Sequence, residues 1–173
     1  MEKDAKTFDI EIKKVKRSKG QKKTADLRYS NFLITINSHK SVNKMDEEQA
    51  EAELTRFETV IDNLVNQDIR DMLVLTSTRT ELNMKDVPLK DRILNVKLEY
   101  VVEVGSQKGF IHTHIMVAIT HRALNVKINL GALRDDYLPD KLGYFPYVNI
   151  TVFRDAQQIM KDYIRKTSDE SKF

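Results

Sequence analysis

Apolar side chains alternate along two neighbouring segments in the middle of the chain with the two-residue period of a β-strand. The first segment runs from Ile93 to Val104 and the second from Phe110 to Ile119. The five residues between them begin with Gly105 and end with Gly109, which is typical of the turn of a hairpin. The pattern therefore predicts two antiparallel strands joined by a short turn.

Further runs of β-forming residues predict strands on either side of this hairpin. They lie at Tyr29–Asn37, Met72–Thr76 and Tyr147–Phe153. Phe8, Ile10 and Ile12 also alternate with polar residues and could add a short strand. The hairpin and these runs together predict a sheet that is mainly antiparallel.

Helical spacing of apolar residues appears in two other segments. It predicts a long amphipathic helix from Asp46 to about Asn66 and a closing helix over Ala156–Lys166. The segment 123–142 predicts one short helix and a loop, and the polar residues 77–91 predict a loop. The mixture of elements indicates an α+β fold.

Two histidines, His112 and His114, interrupt the second strand of the hairpin. Residues two apart point to the same face of a strand, so their imidazole rings are expected side by side, opposite the apolar core face. If the hairpin strands share one core face, the side chain of Glu103 lies on the same side as both histidines. Two imidazoles alone are a partial metal site, and the carboxylate completes a three-ligand site with open positions for substrate. Glu99, further from the turn, is the alternative third ligand, and two hydrogen-bonded structural histidines are the alternative to a metal site.

Composition narrows the kind of metal site that is possible. The chain has 173 residues, 40% of them apolar and 32% charged, which fits one soluble domain with a real core. It has no cysteine, so a metal must be held by His, Asp or Glu.

No apolar run approaches the roughly 20 residues of a membrane span, and no signal-peptide pattern opens the chain. We therefore expect an intracellular protein that does not enter membranes.

Positive charge is concentrated at the amino-terminal end. Residues 1–28 carry ten Lys and Arg against five Asp and Glu, whereas residues 29–173 carry 19 against 21. Seven basic residues fall between Lys13 and Lys23. Such a run is typical of an arm that touches nucleic acid or of a nuclear import signal, and the alternative is a merely solvated tail. The predicted location is the host nucleus if the protein is viral or eukaryotic, and the cytoplasm otherwise.

Three motifs of the chain, in this order, resemble those of the HUH endonuclease domain of rolling-circle replication initiator (Rep) proteins. Phe32–Asn37 resembles the first motif, a strand ending in Thr-x-Asn, and Phe110–Val117 resembles the His-hydrophobic-His motif, with Thr113 only weakly hydrophobic. Tyr163–Lys166 resembles the Tyr-x-x-Lys motif on a helix. The resemblance implies a domain over residues 28–168, between a basic tail (1–27) and a polar end (169–173).

The fold that this resemblance implies is a central antiparallel sheet of about five strands flanked by helices, akin to RNA-recognition-motif and ferredoxin-like folds. The implied activity is metal-dependent, sequence-specific nicking and joining of single-stranded DNA, which initiates rolling-circle replication. The implied partner is an origin stem-loop or a similar single strand. A helicase domain or partner outside this chain is also implied, and the oligomeric state stays open.

The resemblance also implies roles for individual residues. Tyr163 would be the nucleophile that forms a covalent 5′-phosphotyrosyl link, assisted by Lys166. Mg²⁺ or Mn²⁺ would be bound by the three metal-ligand candidates, which are Glu103, His112 and His114. We expect DNA contacts from three further residues, which are Asn37, Lys108 and Arg165.

Three other activities remain open on the sequence alone. The first is a non-catalytic nucleic-acid-binding module of the same fold, in which His112 and His114 are structural. The second is a single-tyrosine strand transferase similar to transposases or relaxases. The third is a metal-dependent hydrolase that uses water, which would tolerate the loss of Tyr163.

Overall fold

The predicted hairpin is confirmed, and it lies at the centre of a larger antiparallel sheet. The computed structural model of the protein describes residues 6–11 (backbone only), 27–76, 92–123 and 125–153. The strands in these ranges are β1 Lys6–Glu11, β2 Arg28–Ser41, β3 Leu73–Thr76, β4 Ile93–Val104, β5 Phe110–His121, β6 Asn125–Ile128 and β7 Tyr147–Phe153. The helices are α1 Glu47–Asn66 and α2 Leu138–Leu142, with 3₁₀ turns at Val42–Lys44 and Asp68–Met72 and a π-helical segment at Ala132–Tyr137.

Four strands make up the main sheet in the order β4-β5-β2-β7, and each neighbouring pair is antiparallel. The backbone of β1 pairs with the outer edge of β4. Strands β3 and β6 pair separately in a small second sheet. The α+β class and the antiparallel main sheet are therefore confirmed.

The two faces of the main sheet are packed differently. One face carries the main core, where strand residues such as Ile34, Ile115 and Val117 cluster with Phe57 and Leu64 of α1. The buried side chains of the helices in the described ranges belong to this cluster. On the opposite face the apolar cluster is small. It consists of Leu33, Val101 and Met116, with Phe153 against it.

Helix α1 is confirmed close to its predicted bounds. Its first turn is closed by a capping box, in which Asp46 Oδ1 accepts from the main-chain N–H of Gln49 at 2.8 Å and Gln49 Oε1 accepts from that of Asp46 at 3.3 Å. Within the described ranges, none of the helices combines the length and apolar character that crossing a membrane requires.

The structure corrects the prediction of only a short helix and a loop for residues 123–142. This segment also contains strand β6, in which Val126 and Ile128 are buried while Asn125 and Lys127 are exposed. Four residues are too few for alternation to distinguish a strand from a loop, and pairing with β3 decides the matter. The predicted loop 77–91 and closing helix 156–166 lie outside the described residues.

Strand β2 is longer than the predicted Tyr29–Asn37. Its pairing with β5 is regular up to Asn37 and resumes at Ser41, so the intervening residues form a bulge. His39, in this bulge, has a positive φ of 55°.

Candidate metal centre

Strand register brings Glu103, His112 and Asn37 opposite one another on three adjacent strands. Glu103 of β4 pairs with His112 of β5, and His112 pairs with Asn37 of β2. Two residues further along β5, His114 pairs with Val101 of β4 on one side and with Thr35 of β2 on the other. Both histidines and Glu103 therefore belong to the face of the sheet opposite the main core.

The ring of His112 is fixed by its neighbours on both sides. Its Nδ1 lies 3.1 Å from the carbonyl oxygen of Phe110, and since a carbonyl only accepts, Nδ1 donates. This contact turns Nε2 towards Glu103, whose Oε2 is 3.5 Å away. The side chain of His112 is fully buried and Glu103 is 7% exposed. Ligand bonds of about 2.0–2.2 Å place two atoms on one ion about 3.0–3.5 Å apart, so this spacing suits two ligands of one metal.

His114 is buried beside His112, with the two ring centroids 5.5 Å apart. Its Nδ1 lies 3.2 Å from the hydroxyl oxygen of Thr35. Burial first, and then the neighbouring His112, lower the pKa of His114 from 6.5 to about 4, against the opposing effect of Glu103. His114 is therefore a neutral imidazole at physiological pH, which is the form that binds metals.

Thr113 lies between the two histidines but points into the main core. Its hydroxyl is buried and donates to the carbonyl oxygen of Val101 at 2.7 Å. This hydrogen bond satisfies the one polar group of the side chain, so a threonine is tolerated on an otherwise apolar face.

Glu103, His112 and His114 are suitable ligands for a divalent ion in their chemistry and in their positions on the strands. Glu103 and His112 also have a suitable spacing. In the described part of the chain, however, no group of three His, Asp or Glu side chains is arranged so that it could hold a metal as it stands. Glu99, the alternative third ligand, pairs with Met116 and not with either histidine. The register therefore favours Glu103 over Glu99 as the carboxylate of a site.

The predicted DNA-binding residues have different surroundings. Asn37 is buried, and its Oδ1 accepts from the main-chain N–H of His39 at 2.8 Å, so it shapes the bulge at the end of the regular strand. Lys108 is exposed in the β4–β5 turn, where its carbonyl oxygen accepts from Ser41 Oγ at 2.6 Å. Tyr163, Arg165 and Lys166 lie outside the described residues.

A third buried histidine, His121, is the last residue of β5. Its Nδ1 donates to the carbonyl oxygen of Ala123 at 3.0 Å, and its Nε2 accepts from Ser30 Oγ at 2.8 Å. Burial is the main reason why its pKa is lowered. These contacts give His121 a structural role.

Sequence reasoning missed two features that hold the histidines in place. These are the hydroxyl of Thr35 and the main-chain carbonyl of Phe110. Thr35 could have been found, because it is two residues before Asn37 and must share its face once β2 is paired with β5. The carbonyl contact of Phe110 has no signal in the sequence, since every residue carries the same group.

Comparisons of this chain with models of protein families, with curated proteins and with solved structures found no match. The resemblance to HUH endonucleases therefore rests on the motifs of the chain itself.

Proposed function

We propose that this protein is a metal-dependent nickase and strand transferase for single-stranded DNA, of the HUH endonuclease type, that acts in rolling-circle replication. The observation that carries the proposal is the position of Glu103, His112 and His114 on one sheet face, with Glu103 Oε2 3.5 Å from His112 Nε2. The sheet topology of this type, with five strands and flanking helices, is part of the proposal.

The proposed metal ligands are Glu103, His112 and His114. When bound there, Mg²⁺ or Mn²⁺ would supply Lewis acidity at the scissile phosphate. The protein's own contribution is to orient the donors: the carbonyl of Phe110 keeps Nδ1 of His112 protonated, and burial keeps His114 neutral. The two imidazoles also suit Zn²⁺.

The covalent step is assigned to Tyr163 by the Tyr-x-x-Lys motif. The phenol oxygen forms a bond to the phosphorus and the bond from phosphorus to the 3′ oxygen breaks. The phenolic proton is transferred, in balance, to the departing 3′ oxygen, which leaves as a free hydroxyl. A phenol has a pKa of about 10, so Lys166, one turn along the predicted helix, would favour the phenolate by its charge. The phosphotyrosyl bond conserves the energy for rejoining.

A second candidate function is a non-catalytic module that binds nucleic acid. The hydrogen bonds from His112 to Phe110 and between His114 and Thr35 favour it, because buried structural histidines have such partners. This module would require neither a metal nor Tyr163 for its function.

The experiment that separates the candidates is a denaturing gel of the full chain with a pool of labelled, origin-like single-stranded DNA, with Mn²⁺ or with chelator. A metal-dependent covalent band that disappears in Tyr163→Phe and persists in Tyr29→Phe is the expected result. Tyr29 is a suitable control because it is an exposed tyrosine far from the candidate ligands. Cleavage without a covalent band would indicate water as the nucleophile, and binding without cleavage would indicate the non-catalytic module.

The metal is tested separately by the shift in Tm that Mn²⁺ produces. We expect the shift to be lost in Glu103→Gln and kept in Glu99→Gln, since Glu99 pairs with Met116 instead of a histidine. Equal shifts in the two variants would contradict the assignment of Glu103 as a ligand.

A further inference from the structure

Exposed aromatic side chains lie at the end of the sheet next to the candidate metal ligands. Phe145 is 73% exposed and Tyr147, two residues later at the start of β7, is 50% exposed. Large aromatic rings are normally buried, so two of them on the surface within three residues indicate a binding site more than a contribution to stability.

Strand register connects these rings with the metal candidates. Tyr147 pairs with Asn37, and Asn37 pairs with His112, so the three residues form one row across β7, β2 and β5. Phe110 precedes His112 by two residues on β5 and therefore shares its face. Two strand spacings of about 4.8 Å separate Tyr147 from His112, or roughly 10 Å.

His39 joins the rings of Phe110 and Tyr147 into one surface, and Phe145 lies two residues before Tyr147 in the chain. Its ring centroid lies 5.8 Å from that of Phe110 and 6.3 Å from that of Tyr147, both edge-to-face. We call the four rings of Phe110, His39, Tyr147 and Phe145 the aromatic platform. His39 is exposed and has a positive φ, and the side chain of Asn37 holds its main chain. A non-glycine residue in this conformation is uncommon, and the main core gains nothing from it.

Positive charge borders the platform. Lys108 is exposed in the β4–β5 turn, and its carbonyl oxygen accepts a hydrogen bond from Ser41 at the end of the bulge. Aromatic rings beside lysines are the combination with which proteins bind single strands, because bases stack on the rings while phosphates meet the cations.

We propose that the aromatic platform stacks nucleobases of single-stranded DNA next to the candidate metal ligands. That these bases flank a scissile phosphate rests on the proposed function, whereas the stacking itself does not. In duplex DNA the bases are already stacked on one another and their faces cannot reach the aromatic platform. The platform therefore selects single strands.

The test measures binding of fluorescently labelled oligothymidylate to the full chain by anisotropy, in chelator and at raised salt. Chelator removes any part of binding that depends on metal, and salt weakens the contribution of phosphate contacts, including those of the basic amino-terminal segment. The remaining affinity reports mainly on stacking.

We expect Tyr147→Leu and Phe145→Leu each to weaken binding about 5- to 100-fold, the range for loss of one base–aromatic stack. Tyr147→Phe should bind like the wild type because it keeps the ring. Tyr29→Leu is the matched control. Tyr29 is a 69% exposed tyrosine on the same face, eight residues before Asn37 on β2, or about 26 Å away.

An abasic strand of the same length completes the design. Without bases, the wild type and Tyr147→Leu should bind equally. Unchanged binding in both leucine variants, an equal loss in Tyr29→Leu, or equal binding of duplex DNA would each overturn the proposal. Loss of binding in the platform variants together with no covalent band in any assay would leave the stacking site in place and reject the nickase.

Discussion

Acidification should destabilise the metal-free protein through His114. The folded state keeps the imidazole neutral, because burial and the neighbouring His112 lower its pKa to about 4, while in the unfolded chain the pKa returns to 6.5. Between these values the unfolded chain binds a proton that the folded protein does not bind. Stability is therefore fully present above about pH 6.5 and is lost as the pH falls towards 4.

The size of the effect follows from the difference between the two pKa values. A difference of one unit corresponds to about 1.4 kcal/mol, so the shift of His114 is equivalent to about 3 kcal/mol in total. At about pH 5, where the unfolded imidazole is almost fully protonated and the folded one is not, about 2 kcal/mol of this is lost. That loss is a large fraction of the stability of a typical domain.

Urea unfolding in chelator, followed by circular dichroism between about pH 7.5 and 5, measures the effect. The matched variant is His114→Gln, whose side-chain amide is neutral throughout this range and can still meet Thr35. The free energy of unfolding of the wild type should fall by about 2 kcal/mol more than that of the variant. Titrating groups that do not contact His114, such as His121, contribute equally to both proteins and cancel in the difference.

Parallel pH dependences of the wild type and the variant would refute the reasoning, since they would mean that His114 is protonated equally in both states. A wild type that gains stability on acidification relative to the variant would show a raised pKa and place a charged imidazole beside Glu103. Saturating Mn²⁺ at about pH 7.5 should stabilise the wild type and not the variant, because only the wild type has the full set of proposed ligands.

Two further predictions concern the elements that support the site. Gly109→Ala should destabilise the protein by about 2 kcal/mol, because the residue has φ +68° and a Cβ would come within 2.7 Å of the Asn43 side chain. In urea unfolding, the same substitution made in an Asn43→Ala background should cost less, because the clash is removed and only the backbone strain remains. A full recovery of stability would contradict the backbone strain. Asp46→Ala should lower the free energy of unfolding by about 1 kcal/mol, because it removes the side-chain cap of α1. Asp46→Asn should lower it much less, because the amide oxygen can still accept the capping hydrogen bond. Equal losses in the two variants would show that the charge of Asp46 matters more than its hydrogen bond.

The sequence could predict the central elements of the fold because their patterns are long. The hairpin of β4 and β5 has twelve residues in each strand, and α1 has 20. Over such lengths, alternation and helical spacing are unambiguous. Strand β6 has only four residues, and the bulge after Asn37 depends on a side-chain hydrogen bond to the main chain. Neither leaves a periodic signal, so neither could be predicted.

For the candidate site, the sequence predicted which residues share a face but not how they are held. The two-residue period and the glycine turn were enough to expect Glu103 beside His112. The orientation of the His112 ring depends on the carbonyl of Phe110, and the neutral state of His114 depends on burial, which is a property of the packed sheet. The aromatic platform needed the pairing of β7 with β2, because Tyr147 and Asn37 are 110 positions apart in the sequence.

The two faces of the sheet explain why a site of this kind can exist in a small domain. In the described part of the chain, the face against α1 carries most of the buried apolar side chains and supplies most of their hydrophobic stabilisation. The opposite face buries Glu103, His112 and His114 where apolar side chains would be more stabilising, since burying polar groups costs free energy even when they are hydrogen-bonded. Three such residues in adjacent positions therefore cost this face of the sheet stability. Their position beside an exposed aromatic platform is what the proposed binding face for a charged, base-bearing ligand requires, and the apolar packing of the opposite face offsets their cost.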